Sequence, residues 1–545
     1  MTDYIIAGAG PAGCVMAARL SEDPDVAVTL LEAGGSDRHP LLHVPAGFAR
    51  MTKGIASWGW STVPQKHLNG RVLSYTQAKV LGGGSSINAQ IYTRGHPADY
   101  DGWSKDGCDG WSYREVLPYF KRAEGNQRLD DDYHARSGPL GVSDPVAPLP
   151  ICEAWFEAAG ALGIPFNPDF NGARQEGVGY YQLTQRNARR SSAATAYLGA
   201  ARRRPNLAVR TDVRVLRVVV EARRAVGVEV AAGGGGVETI RADREVIVSC
   251  GAIGSPALLL RSGVGPADHL KRIGVPVVHD LPGVGSNLQD HLNLFTVCEC
   301  TGDHTYDAWA KPHRAAWAGL RYALFRNGPA ASSLFETGGF WRVGPGTGRP
   351  DVQFHLGLGS GIEAGVVRLA RAGVTLNSAY LRPESRGSVR LASPDPTDAP
   401  LIDPNYWAEP NDRVIGFRGL RLAREMMRQD ALKPFVAREA LPGPEVDGEA
   451  ALFDYACANA KTDYHPVGTC RMGNDAMAVV DVDLRVRGIE GLRVADSSVM
   501  PRVPSSNTNA PTIMVGEKAS DLILGREPPP PAVFEGNEPR FGGDG

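Results

Sequence analysis

Tyr4-Ile5-Ile6-Ala7-Gly8-Ala9-Gly10-Pro11-Ala12-Gly13 opens the chain with a short apolar run that breaks at once into glycine. So short a run reads as a buried strand, and the glycines that follow read as its turn. From Cys14 to Leu20 the residues Val15, Met16, Ala18 and Leu20 read as a helix. Val26 to Leu31 is a second apolar, β-branched run, ending on Glu32. Strand, glycine turn, helix, strand is one βαβ unit, and it requires a parallel sheet. In such a turn one glycine permits the tight bend. A second lets the backbone approach a pyrophosphate, and a third lets helix and strand pack closely. The phosphates then lie at the helix N-terminus, where free N–H groups and the dipole favour anions. Glu32 stands 19 residues beyond Gly13, the place of the acid that binds ribose hydroxyls. Gly8, Gly10, Gly13, Glu32 and the adjoining Ala33 are therefore candidate dinucleotide-binding residues. A carboxylate at position 32 disfavours the extra phosphate of the phosphorylated nicotinamide cofactor. The fingerprint alone does not separate NAD from FAD.

Working outward, 545 residues exceed one ordinary core, so two or more domains are expected. The formal net charge of −2 gives no electrostatic reason to expect nucleic acid or an anionic membrane as partner. The run Arg202-Arg203-Arg204 reads as a solvated loop. Eight cysteines show no zinc-ligand spacing, so no metal is expected. Cys298 and Cys300 read as alternating strand residues. Reduced thiols of a cytoplasmic protein are the expectation. No apolar run is long enough to span a bilayer, and the first strand, starting at Tyr4, leaves no room for a cleaved signal peptide.

Glu245 to Cys250 reads as a further buried strand, leading through Gly251-Ala252-Ile253-Gly254-Ser255-Pro256 into a helix, Ala257 to Arg261. Leu492 to Ala495 is another strand. Between about 300 and 460 the texture changes. Residues 351–356, 374–381 and 388–391 alternate polar and apolar, which predicts antiparallel strands of a half-exposed sheet, with helices at 413–428 and 448–460. The fold class is thus α/β, a Rossmann-like dinucleotide domain with a parallel sheet plus an inserted α+β substrate domain with an antiparallel sheet. The first takes 1–150, 205–295 and 460–526; the second takes 151–204 and 296–459. Residues 527–545, rich in proline and glycine, are expected to form a loosely ordered tail.

A second glycine cluster, Val80-Leu81-Gly82-Gly83-Gly84-Ser85-Ser86-Ile87-Asn88, offers bare backbone to a flat ring or a phosphate, and hydroxyls at Ser85 and Ser86. With its flanks, Ala78 to Gly95, it resembles the first signature of the glucose–methanol–choline (GMC) oxidoreductases, and Gly251 to Gly265 resembles their second. The resemblance runs from Tyr4 to about Ile523. The segments His465 to Gly473 and Asn507 to Glu517 resemble those of the bacterial choline dehydrogenase and alkanol dehydrogenase branch. The resemblance implies FAD and a two-domain fold. It implies that Gly8, Gly10, Gly13 and Glu32 hold the adenosine diphosphate half and that the backbone of Val213 meets adenine. Val80, Gly83, Asn88 and Ala89 would line the flavin side. Asp496 and the segment Asn509-Ala510-Pro511-Thr512 would close over the ribityl chain and ring. Some relatives attach FAD covalently through a histidine just before the motif's asparagine. Ile87 stands there in this chain, which implies dissociable FAD.

Oxidising an alcohol takes a proton from the hydroxyl and a hydride from carbon. Flavin accepts the hydride at N5, so the protein supplies a base and a positioning group. His465 suits the first role because its ordinary pKa is near neutrality. Asn509 suits the second, as a donor to the developing alkoxide. The expected reaction is oxidation of a primary alcohol to an aldehyde. Glu336, in Phe335-Glu336-Thr337-Gly338-Gly339-Phe340, resembles the carboxylate that choline-oxidising relatives offer to a trimethylammonium group, which keeps a quaternary-amine alcohol as the alternative. A non-redox hydroxynitrile lyase on the same fold is another, and anaerobic bleaching of flavin by an alcohol discriminates it. Relatives use oxygen, a quinone or a cytochrome as electron acceptor, so either an alcohol dehydrogenase with an acceptor other than NAD or an alcohol oxidase is implied, and the branch resemblance favours the dehydrogenase. Trp58, Trp60, Tyr92 and Gln353 to Gly357 are further candidates to shape the pocket.

Overall fold

A computed structural model describes residues 2–51, 54–232, 236–345, 348–534 and 538–539. The opening motif folds as its sequence dictates. Strand β1 (Thr2–Ala7) leads through the glycine turn into helix α1 (Pro11–Leu20) and back to strand β2 (Val28–Leu31). Helix α1 begins three residues before Cys14, where the apolar pattern starts. Pro11 occupies its first turn, where proline's missing N–H costs nothing. The sheet is completed by β3 (Leu207–Arg210), β4 (Val213–Glu221), β5 (Arg224–Ala232), β6 (Val237–Val248) and, after helix α2 (Gly251–Arg261), β7 (Leu492–Val494).

The strand order is β3-β2-β1-β6-β5-β4, with β7 on β6. β3, β2, β1, β6 and β7 run parallel, whereas β4 and β5 form an antiparallel extension. β6 serves both parts. Its first half pairs with β5, and its second half, from Ala242 to Val248, lies between β1 and β7. Helix α3 (Asn509–Leu524) packs against α1, and Gly516 makes that approach possible: a Cβ there would lie 2.9 Å from Ala12 Cα.

The second sheet also has seven strands, in the order Val436–Leu441, Leu292–Cys300, Gly373–Tyr380, Val352–Gly357, Thr337–Trp341, Gly177–Tyr180, with Lys461–Thr462 beside Leu292–Cys300. All its pairings are antiparallel, as the alternation predicts. It is not half-exposed, however: every residue of Val352–Gly357 and Gly373–Tyr380 is buried. Val352, Phe354, Leu356, Val374 and Leu376 pack with Trp155, Ile415 and Met426 from the helices Pro150–Ala161 and Pro410–Met427. The polar phase of the same strands, His355 and Asn377, faces an internal cavity. Alternation here separates core from cavity, where the sequence reading assigned it to core and solvent.

All eight cysteines are free. Among the described residues no helix is long and apolar enough to cross a membrane. The segment 527–545 falls partly outside the described residues. Within the described part, Phe534 is buried, 5.1 Å from the ring of Tyr133, while Glu527, Pro528, Pro530, Pro531 and Val533 are exposed.

Candidate active site

The cavity starts at the glycine turn. Gly8 has φ +102°, and a Cβ there would meet the Ser249 carbonyl oxygen at 2.4 Å. Gly13 packs on the turn itself, where a Cβ would lie 2.1 Å from the Gly8 oxygen. Gly10 is different: its nearest neighbour to a Cβ is 3.8 Å away, and it lines the cavity. Gly8 and Gly13 thus sit where a bend and a close packing demand glycine, and Gly10 leaves open backbone facing the cavity. Glu32 lines the cavity with Ala33. Its carboxyl accepts from Ala9 N (3.0 Å) and Gly34 N (2.8 Å), and burial pushes its pKa up to about 7. Val213, whose N–H bonds to the Glu32 carbonyl at 2.9 Å, lies beside them in the same wall.

The second glycine cluster closes on the first. Gly83, at φ +53°, comes so near the turn that a Cβ would sit 2.7 Å from Gly10 Cα. Ser85 and Ser86 do not face the cavity as expected. Their hydroxyls donate to the carbonyls of Gly82 (2.6 Å) and Leu81 (2.8 Å), bracing the loop. Asn88 and Ala89 line the cavity, and Asn88 Oδ1 accepts from Arg190 at 2.7 Å. Asp496 lines it too, with its carboxylate held by Gly251 N (2.8 Å) and Ser498 N (2.7 Å). Thr512 and Asn509, in the first turn of α3, complete this side. Val80, Gly13 and Ala510 are not among the lining residues; they support it from behind. Trp58 and Trp60 line the cavity, stacked 4.9 Å apart, and Tyr92 does not.

His465 closes the far end, beside Asn509, Asn507, Asp463, His355, Asn377 and Glu363. Its protonation follows from its partners. The His291 Nε2 lies 3.0 Å from the Leu381 carbonyl, which can only accept, so His291 carries its proton there and offers a lone pair at Nδ1. That lone pair faces His465 Nδ1 at 3.0 Å, so His465 donates from Nδ1. At the other nitrogen, Asn507 Oδ1 is taken by Gln353 Nε2 at 2.9 Å, so the Asn507 amide N–H donates to His465 Nε2 at 3.0 Å. These assignments come from the network, as tautomers must. They leave His465 neutral, with its basic lone pair at Nε2. Burial pushes its pKa down to about 3, against the pull of Asp463. Asp463 Oδ2 stands 3.5 Å from His465 Nδ1 without a hydrogen bond of its own, while its Oδ1 accepts from Asn293 at 2.8 Å. His291, Asp463 and His465 place ligand atoms within 4.8 Å of one another, but the protons just assigned account for both facing nitrogens without a metal.

Asn509 has both amide atoms buried without a partner. Glu336 is not in this wall. Phe335 lines the cavity, and the Glu336 carboxyl turns to the Tyr306 hydroxyl at 3.4 Å, where burial pushes its pKa up to about 7. His291, Asp463 and Glu363 were not singled out from sequence, whereas His355 lies in the candidate stretch 353–357 and Asn507 opens the segment that carries Asn509. Of the unchosen three, Asp463 alone stood close to a chosen residue, two positions before His465.

A parallel sheet that feeds a glycine turn into a long cavity, with an imidazole base at its far end, defines a dinucleotide-dependent oxidoreductase. Comparison with known proteins narrows this. The GMC oxidoreductase N-terminal family pattern matches residues 2–293, and its C-terminal counterpart matches 383–516. An "Alcohol dehydrogenase [acceptor]" of Pseudomonas putida is 42% identical over 96% of each chain. An "Oxygen-dependent choline dehydrogenase" of Brucella ovis is 43% identical over 96% of each. The crystal structure of pyridoxine 4-oxidase from Mesorbium loti superposes with a TM-score of 0.87 at 32% identity, covering 97% of this chain and 100% of that one. The chain belongs to the GMC oxidoreductase family.

Proposed function

We propose that this chain oxidises a primary alcohol to the aldehyde with FAD held, without a covalent bond, along the cavity. The residues fit that cofactor. Bare backbone at Gly10 leaves room for close approach, Gly83 lets the second loop close on the first turn, the N-terminus of α1 suits a pyrophosphate, and both amide atoms of Asn509 are buried without a protein partner. Gly10, Glu32, Ala33 and Val213 would hold the adenosine half, and Gly83, Asn88, Ala89, Asp496 and Thr512 the flavin half. FAD bound there would supply the acceptor for the hydride of the alcohol carbon. The chain's own residues handle the proton and the oxygen. An alcohol O–H takes the place of the Asn507 N–H at His465 Nε2 and gives up its proton there, while the Asn509 amide donates to the oxygen.

The observation that carries this reading is the neutral His465 lining the cavity beside Asn509, with its Nε2 lone pair engaged by the Asn507 amide, which also lines the cavity. A neutral alcohol is favoured, since Glu336 faces away, the lining carboxylate of Glu363 is paired with Lys461 at 3.1 Å, and that of Asp463 stands 3.5 Å from the His465 imidazole. Free, mostly buried cysteines support a cytoplasmic setting. Purified protein should be yellow, and a primary alcohol added without oxygen should bleach it. A flavin that stays oxidised through a broad set of alcohols would refute the proposal and leave the lyase reading.

Asp463 adds a second expectation. Its charge favours the imidazolium that forms on His465. Asp463→Asn keeps an acceptor for Asn293 and removes the charge. Flavin reduction is expected to slow about tenfold, the equivalent of one pKa unit, with KM little changed. Stopped-flow traces matching wild type would exclude this role.

A further inference from the structure

Helix Pro312–Phe325 lies on the protein surface. Ala318 and Tyr322 hold it down, the latter through its hydroxyl to the Ala188 carbonyl at 2.9 Å. Its other side is apolar and exposed. Trp317 is 48% exposed, Leu320 60%, Leu324 65% and Phe325 67%. Trp317, Leu320 and Leu324, at i, i+3 and i+7, form one stripe. Soluble proteins seldom leave such a cluster uncovered without a use for it.

The charges select what covers it. Residues 311–326 contain Lys311, Arg314, Arg321 and Arg326 and no acidic residue, in a chain whose net charge is −2. Arg314 is ion-paired with Asp303 at 3.0 Å, and both side chains are exposed. A second copy of this chain, docked stripe to stripe, would set these cations against one another. A bilayer bearing anionic headgroups accepts both features: the apolar stripe enters the acyl boundary and the cations meet phosphate.

We propose that this helix seats the enzyme on an anionic lipid surface as a peripheral protein. The balanced overall charge that argued against such a partner conceals this local excess. The helix also sits near the cavity. Tyr322 packs with Ala188 and Ala331, with Val44 and Ala330 against them, and Phe48, four residues beyond Val44, lines the cavity wall. Seating therefore brings the cavity close to alcohols or electron acceptors dissolved in lipid.

The test is sedimentation of the FAD-loaded protein with vesicles of phosphatidylglycerol and phosphatidylcholine, compared with vesicles of phosphatidylcholine alone. Binding to the anionic vesicles only, weakened by salt, is expected. The double variant Leu320→Glu, Leu324→Glu should bind at least about tenfold less, since two inserted leucines are lost, while its flavin content and its turnover in solution stay unchanged. Arg321→Glu, which keeps all three stripe side chains but removes the guanidinium 5.3 Å from the Trp317 ring, should also bind less. Absence of vesicle binding by the wild-type protein would overturn the proposal. So would a wild-type dimer in solution that the double variant converts to monomer, because the stripe would then belong to a second copy. If the double variant loses its flavin, Arg321→Glu decides alone.

Discussion

Replacing His465 with alanine is expected to leave FAD bound and to slow its anaerobic reduction by alcohol by about 10²–10⁴-fold, the usual worth of a positioned general base. The alanine removes the lone pair that the network leaves basic at Nε2, beside Asn509. His291 is no substitute, because it does not line the cavity and its Nε2 proton is committed to the Leu381 carbonyl. The pH behaviour should change too. Burial holds the His465 pKa at about 3, below its ordinary 6.5. Between these values the unfolded chain binds a proton that the folded site refuses, so stability rises with pH in that window and is lost as pH falls through it. Wild type should therefore be more acid-sensitive than His465→Ala in denaturation measured from about pH 7 down to about pH 4. A variant that is still bleached at the wild-type rate would remove His465 from the chemistry.

The parts of this site that were legible in sequence are those where one residue type meets one backbone requirement. Gly8 and Gly13 are glycines because any Cβ would strike Ser249 or Gly8, and that demand shows in the spacing alone. The partners of His465 gave no such signal. His291 lies 174 residues away and reaches it only because Leu292–Cys300 and Lys461–Thr462 pair in the second sheet. Glu336 was misplaced by the phase of its extended segment. Adjacent residues there point to opposite sides, so Phe335 takes the cavity and Glu336 the far side. The same parity explains why the alternation in 352–357 was readable while its meaning was not: a cavity and bulk water call for the same polar residues.

The three glycines of the opening turn should separate folding from cofactor binding. Gly13→Ala places a methyl 2.1 Å from the Gly8 oxygen, so β1 and α1 must move apart. Overpacking of this kind costs about 1–3 kcal/mol, occasionally more, and here backbone is the obstacle. The urea midpoint should fall with the flavin content. Gly10→Ala makes the opposite case. Gly10 has φ −70°, which alanine adopts freely, and no protein atom lies nearer than 3.8 Å to the added carbon. The fold should keep its stability to within about 0.5 kcal/mol. The new methyl instead points into the cavity where a pyrophosphate must touch backbone. The same overpacking then falls on the complex alone, and FAD affinity should drop about tenfold to a hundredfold. Flavin released on dilution, followed by fluorescence, measures it. If Gly10→Ala binds FAD as tightly as wild type, the dinucleotide does not cross the turn at Gly10, and the assignment of the adenosine half falls with it.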